Sequence, residues 1–277
     1  MFKLAEDIAT IGPDASAYRT KTVVWNSGQA ADGMRAIPEE TAIALTFNGT
    51  THAVMMATPN DLEDFAYGFS LTEGQIETCD QIRSVDISVE DKGIDVRIWL
   101  DGSATRQFLD RRRRIAGPTG CGLCGVESLA DAVPVPKRVA GGNTFQAEAI
   151  LGAQQVLFDA QTLHAETSAV HAAGYWEPDA GLVEIREDVG RHNALDKLAG
   201  ALARQRRPAH DGIILLTSRV SVEMVQKAAA IGTPVLVAVS APTALAVRTA
   251  EAAGITIVAV ARNNAFEVFS HADRVVV

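Results

Sequence analysis

Cys121 and Cys124 stand with two residues between them in Thr119-Gly120-Cys121-Gly122-Leu123-Cys124-Gly125, and glycine lies before, between and after the pair. Glycine lets the backbone turn freely and leaves little bulk against either sulfur, so the pattern predicts thiol chemistry on a mobile loop. Upstream, Arg111, Arg112, Arg113 and Arg114 would favour thiolate over thiol if they fold back near the sulfurs, and the thiolate is the nucleophile. A run of arginines fits a solvated helix face equally well. A structural zinc site usually needs two such pairs or a pair plus two histidines, and the remaining cysteine, Cys79, stands alone as a default core thiol. A structural disulfide does not suit 3 cysteines in 277 residues, a usage that fits a reducing compartment. A thioredoxin-like motif would open a helix after a strand, whereas a basic run broken by Gly117-Pro118 precedes this pair. A reactive loop cysteine that carries a group fits best.

A second concentration of chemistry is Glu187-Asp188-Val189-Gly190-Arg191-His192-Asn193-Ala194-Leu195-Asp196-Lys197. It packs acid, base, imidazole and amide into one strand-to-helix turn, where Arg191 and backbone donors at a helix N-terminus suit phosphate. The plainer reading is a capped helix with solvated salt bridges, Asp188 and Asn193 being the candidate caps. Ser218-Arg219 and Ser240-Ala241-Pro242-Thr243 offer hydroxyls and a guanidinium at two further turns of this kind. Together they fit one shared anionic ligand, a nucleotide or a phosphorylated cofactor, although isolated serine caps would look much the same. Neither common Gly-rich phosphate fingerprint is present. His164-Ala165-Glu166 has the His-x-Glu form of zinc deaminases, but there a Pro-Cys-x-x-Cys follows, and here the cysteine pair comes first without proline. A chance tripeptide is the better account. His171, among small residues, is either a core histidine, the default, or a site-facing one.

The elements that must position these residues are legible in outline. Arg19 to Trp25 alternates like a strand, and Gln29 to Arg35 reads as a polar connection. Thr41 to Phe47, Asn48-Gly49 and Thr50 to Met56 form the strongest hairpin signal in the chain. Asp61 to Glu73 predicts a helix with Leu62, Phe65, Ala66, Phe69 and Leu71 largely on one face, and Ile82 to Glu90 pairs with Ile94 to Leu100 around a turn. Phe108 to Ile115 and Phe145 to Phe158 have helical spacing, as Ala169 to Tyr175 does more weakly. From Leu182 onward, buried strands (Leu182 to Arg186, Gly212 to Thr217, Pro234 to Val239, Ile255 to Val260) alternate with helices (Asn193 to Ala203, Ser221 to Ile231, Pro242 to Ala253). That pattern implies a covered sheet with ligands gathered at its strand ends. The expected organisation is a flexible tail (1–18), a small α+β domain (19–116), the Cys-x-x-Cys loop and linker (117–142) and a layered α/β domain (143–277).

Composition sets the outer bounds. Hydrophobic residues at 47% and charged residues at 21% describe a globular protein with ample core, and a net charge of −9 argues against a nucleic-acid binder. No run suits a signal peptide or a bilayer span, so the expectation is a cytoplasmic protein with no membrane partner.

Taken together, these segments resemble the FdhD family, the sulfurtransferases required for formate dehydrogenase activity. The resemblance covers nearly the whole chain after the tail. It rests on the hairpin followed by Thr58-Pro59, Tyr67 to Gly74, the Gly120 to Gly125 loop and Val170-His171-Ala172-Ala173. Arg186 to Lys197, Ser218 to Lys227 and Val239 to Thr243 complete it. The resemblance implies that Cys121 receives sulfur as a persulfide from a cysteine desulfurase, with Cys124 assisting. The sulfur then passes to molybdenum (or tungsten) in bis-molybdopterin guanine dinucleotide, bound as substrate, before that cofactor enters apo-formate dehydrogenase; a guanine nucleotide would mimic the cofactor. It assigns cofactor contact to Val260, Ala261, Arg262, Asn263, Asn264 and Ala265. The polar residues gathered at the strand ends, His171, Arg191, His192, Asn193, Lys197, Ser218, Arg219 and Ser240, are expected around the same ligand on the chemistry of their side chains. No resident metal is implied. It further implies a homodimer and a cytidine-deaminase-like architecture for the C-terminal half. The family usually has glycine at Ser168 or Ala169, an aromatic residue at Val260 and a glycine-containing turn at Asn263-Asn264, so the pocket's detailed shape is expected to differ here. The rival classes are a zinc-dependent deaminase-like hydrolase and a non-enzymatic cofactor chaperone.

Overall fold

The computed structural model describes residues 15–106, 108 and 136–277. Cys121, Cys124, the four arginines and the remainder of the helix expected beyond Phe108 lie outside the described residues.

Strands β1 (Ala17–Asn26) and β2 (Gln29–Pro38) form a two-stranded antiparallel ribbon. The polar connection expected at Gln29 to Arg35 is therefore a strand. Ser27 and Gly28, at φ 49° and 92°, make the two-residue turn that hairpins favour, and β2 lacks apolar alternation because it is mostly exposed. β3 (Thr41–Phe47) and β4 (Thr50–Ala57) form the predicted hairpin, with Asn48 and Gly49 at φ 46° and 77°. β5 (Ile82–Glu90) and β6 (Gly93–Leu100) complete a four-stranded sheet ordered β4-β3-β6-β5. Helix α1 (Leu62–Thr72) covers one face of it, burying Leu62, Phe65, Ala66 and Phe69 against Ile43, Leu45, Phe47, Val96 and Ile98.

The second sheet has six strands in the order β13-β12-β11-β10-β8-β9. In chain order it follows β7 (Phe145–Gln146), α2 (Ala147–Ala160) and α3 (Thr162–Thr167). It is built from β8 (His171–Glu177), β9 (Gly181–Asp188), β10 (Ile213–Leu216), β11 (Val235–Ala238), β12 (Thr256–Arg262) and β13 (Ala265–Ser270). Helices α4 (Arg191–Arg204), α5 (Val222–Ile231) and α6 (Ala244–Ala253) alternate with the later strands, and β14 (Val275–Val276) pairs with β7. Alternate residues divide the sheet into two cores. Ile214, Leu216, Leu236 and Ile257 face α4, α5 and α6, while Ile213, Leu215, Val237 and Val258 face α2. Successive strand side chains point to opposite faces, so a strand covered on both sides reads as an unbroken apolar run.

The weak helical spacing of Ala169 to Tyr175 gives way to strand β8 for this reason. Ala172 to Trp176 are all buried, and a short run of small and apolar residues does not reveal its period. Phe145-Gln146, read as helical, is instead the short strand β7. Among the described residues no helix is long and apolar enough to cross a membrane. The whole is an α+β fold of mixed sheets and helices.

Two helices hold the halves together. α1 and α4 cross where Gly68 meets Gly200: a Cβ on Gly68 would overlap the Asp196 carbonyl oxygen and stand 2.7 Å from the Gly200 nitrogen. Outside this contact, Arg186 and Arg204 bind Asp64 at 2.7 and 2.5 Å. Lys227 lies 2.8 Å from Asp196 and 2.7 Å from Glu73.

Ser168 closes α3 at φ 57° and ψ 24°, the left-handed region, so it and not Ala169 occupies the conformation that suits glycine. A side chain there costs about 1 to 2 kcal/mol, partly offset by the greater freedom glycine has when unfolded. Ser168→Gly should therefore raise the urea midpoint slightly, by up to about 1 kcal/mol in stability; a lower midpoint would contradict the reading.

Candidate functional site

Strand direction decides what meets at one rim of the six-stranded sheet. β10, β11 and β12 run parallel, so their C-terminal ends share one edge. β8 and β13 run antiparallel to their neighbours and begin at that edge, where His171 pairs with Asp188 and Arg262 with Ala265. The rim thus carries, in spatial order, the Val260 to Ala265 turn, Ser240, Ser218 with Arg219, His171, and the Gly190-Arg191-His192 start of α4. Six strands at ordinary spacing make such a rim about 24 Å wide.

Several features of the rim suit an anion. The N-cap of α4 is Gly190, no side chain caps this helix and its first turn has no acid, so its first-turn amides are left without a side-chain acceptor. The Arg191 Nε is buried without a hydrogen-bond partner among the described residues. Arg219 and Ser240 are exposed, whereas Ser218 is buried and donates to the Arg219 carbonyl at 3.0 Å. Thr243 caps α6 itself, accepting from Ala246 at 3.2 Å.

The Val260 to Ala265 turn is strained. Val260 sits at φ 55°, Asn263 and Asn264 at 54° and 57°, and the β12/β13 pairing is irregular between Ala259 and Arg262. Asparagine tolerates the left-handed region, which explains how Asn263-Asn264 replaces a glycine-containing turn. A β-branched residue does not, and such strain costs about 1 to 3 kcal/mol and persists only where the surrounding structure imposes it.

His171 is half-buried at the rim. Burial, Arg191 and His164 push its pKa below the usual imidazole value, against Asp188. His192 Nε2 lies 2.6 Å from Glu223 Oε2; burial, Arg191 and Lys227 also hold this imidazole low, with Glu223 opposing. Because both are less basic folded than unfolded, the unfolded chain takes up the extra protons as pH falls. Their contribution is present above about pH 6.5 and is lost as pH drops through the folded values. Urea midpoints should therefore fall between pH 7.5 and 5.5, and His192→Gln should flatten the decline; an unchanged slope would refute the assignment.

Two residues expected at the ligand face inward. Lys197 is fully buried: its Nζ lies 2.7 Å from Asp188 Oδ2, 2.9 Å from the Thr58 carbonyl and 3.1 Å from Asn60 Oδ1. Three acceptors match the three hydrogens of an ammonium, so none is left for phosphate. Asn193 is buried too, donating to Asp188 Oδ1 and to the Met56 carbonyl, both at 2.9 Å. Neither Asp188 nor Asn193 caps α4. Sequence shows a charge but not its burial, and the partners at Thr58 and Asn60 lie far upstream.

Cys79 is not a core thiol. It opens a short 3-10 turn (Cys79–Gln81), half-exposed, beside a cavity of about 330 Å³ lined by Leu71, Ala199, Arg206 and Ile231. This cavity is at the C-terminal end of α4, about 20 Å along the helix from the rim. Burial and Asp80 raise the Cys79 pKa, against Arg204 and Arg206, which disfavours a reactive thiolate. His164 directs Nδ1 at the Val170 carbonyl, 3.2 Å away, and Glu166 is exposed. Among the described residues no three metal-ligating side chains are grouped to hold an ion.

The class these features define is an α+β protein of mixed sheets and helices with polar residues gathered at one rim of strand ends. Within it, the chain belongs to the FdhD/NarQ family, whose model matches residues 38–276. A sulfur carrier protein FdhD from Agrobacterium fabrum is 49% identical over 267 residues, covering 96% of this chain and 98% of the relative. One of the same name from Cupriavidus necator is 47% identical over 250 residues, covering 90% and 87%. The crystal structure of a candidate formate dehydrogenase accessory protein from Desulfotalea psychrophila superposes with a TM-score of 0.73 over 95% of this chain and all of that one. At 24% identity it shows the shared fold alone.

Proposed function

We propose that this chain is a sulfur carrier of formate dehydrogenase maturation. Cys121 takes sulfur as a persulfide from a cysteine desulfurase and delivers it to the molybdenum or tungsten of a bis-molybdopterin guanine dinucleotide cofactor, which binds as substrate along the rim. In the loading step the Cys121 thiolate attacks the outer sulfur of the donor persulfide. The donor's S–S bond breaks, its inner sulfur leaves as a thiolate, and the new S–S bond forms on Cys121. Arg111 to Arg114 favour the attacking thiolate if they lie near it. Cys124 assists, and apo-formate dehydrogenase receives the finished cofactor. The carrier acts as a homodimer, and 143–277 is the cofactor-binding half, of cytidine-deaminase-like architecture.

One observation carries the cofactor half of this reading: residues dispersed from His171 to Ala265 converge on a single rim. Of its guanidinium groups, Arg191 and Arg219 are those proposed for the diphosphate, supported by the open start of α4 and by Ser240. Isothermal titration with guanosine diphosphate should show binding that Arg191→Ala and Arg219→Ala each weaken about tenfold, the loss of one charge-assisted contact of about 1.4 kcal/mol. Unchanged affinity in both variants would refute the rim as the site.

A further inference from the structure

Thr58-Pro59-Asn60 and Asp188 to Lys197, more than a hundred residues apart, meet in one buried network. Asp188 Oδ2 accepts from Lys197 Nζ at 2.7 Å and from the Thr58 amide at 3.0 Å. Its Oδ1 accepts from the Gly190 amide at 2.7 Å and from Asn193 Nδ2 at 2.9 Å. Thr58 returns a bond through Oγ1, which accepts from the Val189 amide at 3.1 Å. Asp188, Lys197 and Thr58 are each sealed from solvent. Every residue from Asp188 to Gly190 is thus held by the network immediately before the uncapped first turn of α4. A second ionic cluster, Lys227 with Asp196 and Glu73, lies at the same crossing but touches none of these three residues.

From this contrast we infer that Lys197 and Asp188 are positioning residues: they fix the β9-to-α4 turn so that the α4 amides and the Arg191 guanidinium converge on the diphosphate of the cofactor. The N-terminal half contributes through Thr58 and Asn60 without contacting the ligand. An ammonium buried with its full complement of acceptors is held in one place and orders the turn that surrounds it. Binding at the rim therefore depends on the joint between the halves. The inference rests on the rim reading above.

The test compares Lys197→Met with Lys227→Met, which removes a buried cation from the same crossing. Both lose stability, so each is first checked for a cooperative urea transition. The expected result is at least a tenfold loss of guanosine diphosphate affinity in Lys197→Met and a clearly smaller one, of at most about threefold, in Lys227→Met, whose charge reaches the rim only through His192. Hydrogen exchange supplies a readout independent of ligand: the Val189 and Gly190 amides should exchange at least tenfold faster in Lys197→Met only. Thr58→Val, which removes the acceptor of the Val189 amide, gives a milder variant if Lys197→Met does not fold, with faster Val189 exchange and weakened binding expected. Equal losses in the two lysine variants, or unchanged exchange at Val189 and Gly190, would overturn the inference. A parent chain that fails to bind the nucleotide while the exchange difference persists would sink the rim reading and leave the positioning of the turn standing.

Discussion

A Cys121→Ala chain is expected to leave formate dehydrogenase inactive in cells, at the level seen without the carrier, while guanosine diphosphate affinity stays as in the parent. The two readouts separate carrying from holding. A methyl group cannot attack a persulfide, and neither remaining thiol replaces the lost one. In the proposed mechanism Cys124 only assists. Cys79 is at the far end of α4 with its pKa raised by burial, which keeps it mostly protonated near neutrality. Nucleotide affinity is expected to survive because the proposed rim is built from His171 onward and does not need the sulfur. A non-enzymatic chaperone would give the opposite pattern, with activation retained when the cysteines are removed and lost when the rim is altered. Activation that persists in Cys121→Ala would contradict sulfur carriage.

The second large effect concerns the crossing that sets the joint. Gly68→Ala should destabilise the chain by about 3 kcal/mol or more, because the added methyl meets main-chain atoms that no rotamer change can move. Gly200→Ala should act alike: its Cβ would overlap the Asp64 carbonyl oxygen and stand 2.8 Å from the Gly68 nitrogen. The helices would have to separate, and the contacts of Lys227 with Glu73 and of Arg204 with Asp64 stretch with them. Gly152 is the control. It lies in α2 with nothing within 4 Å of its would-be Cβ, so Gly152→Ala should stabilise by about 0.5 to 1 kcal/mol through helix propensity. Urea unfolding of the three variants decides the matter, and a Gly68→Ala chain as stable as Gly152→Ala would refute the close crossing.

How far the sequence revealed all this depends on whether the signal was local. Asn48-Gly49 announced its hairpin because a two-residue turn demands positive φ at both positions, and the structure has them. Ser27-Gly28 makes the same kind of turn, yet β2 was hidden because an exposed ribbon has no apolar side to alternate. β8 was hidden for the opposite reason, being buried without a break from Ala172 to Trp176. Strand-end residues such as Arg219 and Ser240 could be nominated because buried runs followed by polar turns and helices imply a rim. Their convergence with His171 depends on β8 running antiparallel beside β10, which no local pattern specifies. Lys197 and Asn193 were placed at the ligand on the chemistry of their side chains. Their inward orientation is set by Thr58, Asn60 and Met56, partners visible only once the halves meet.

The account stands most directly on where sulfur is held. Intact-protein mass spectrometry after incubation with a cysteine desulfurase and cysteine, on the parent and on chains with Cys79, Cys121 and Cys124 replaced in turn, reads this without any assumption about the cofactor. The predicted result is a gain of one sulfur atom, removed by cyanide, in every chain except Cys121→Ala. A parent that gains no sulfur, or a Cys121→Ala chain that still does, would contradict it.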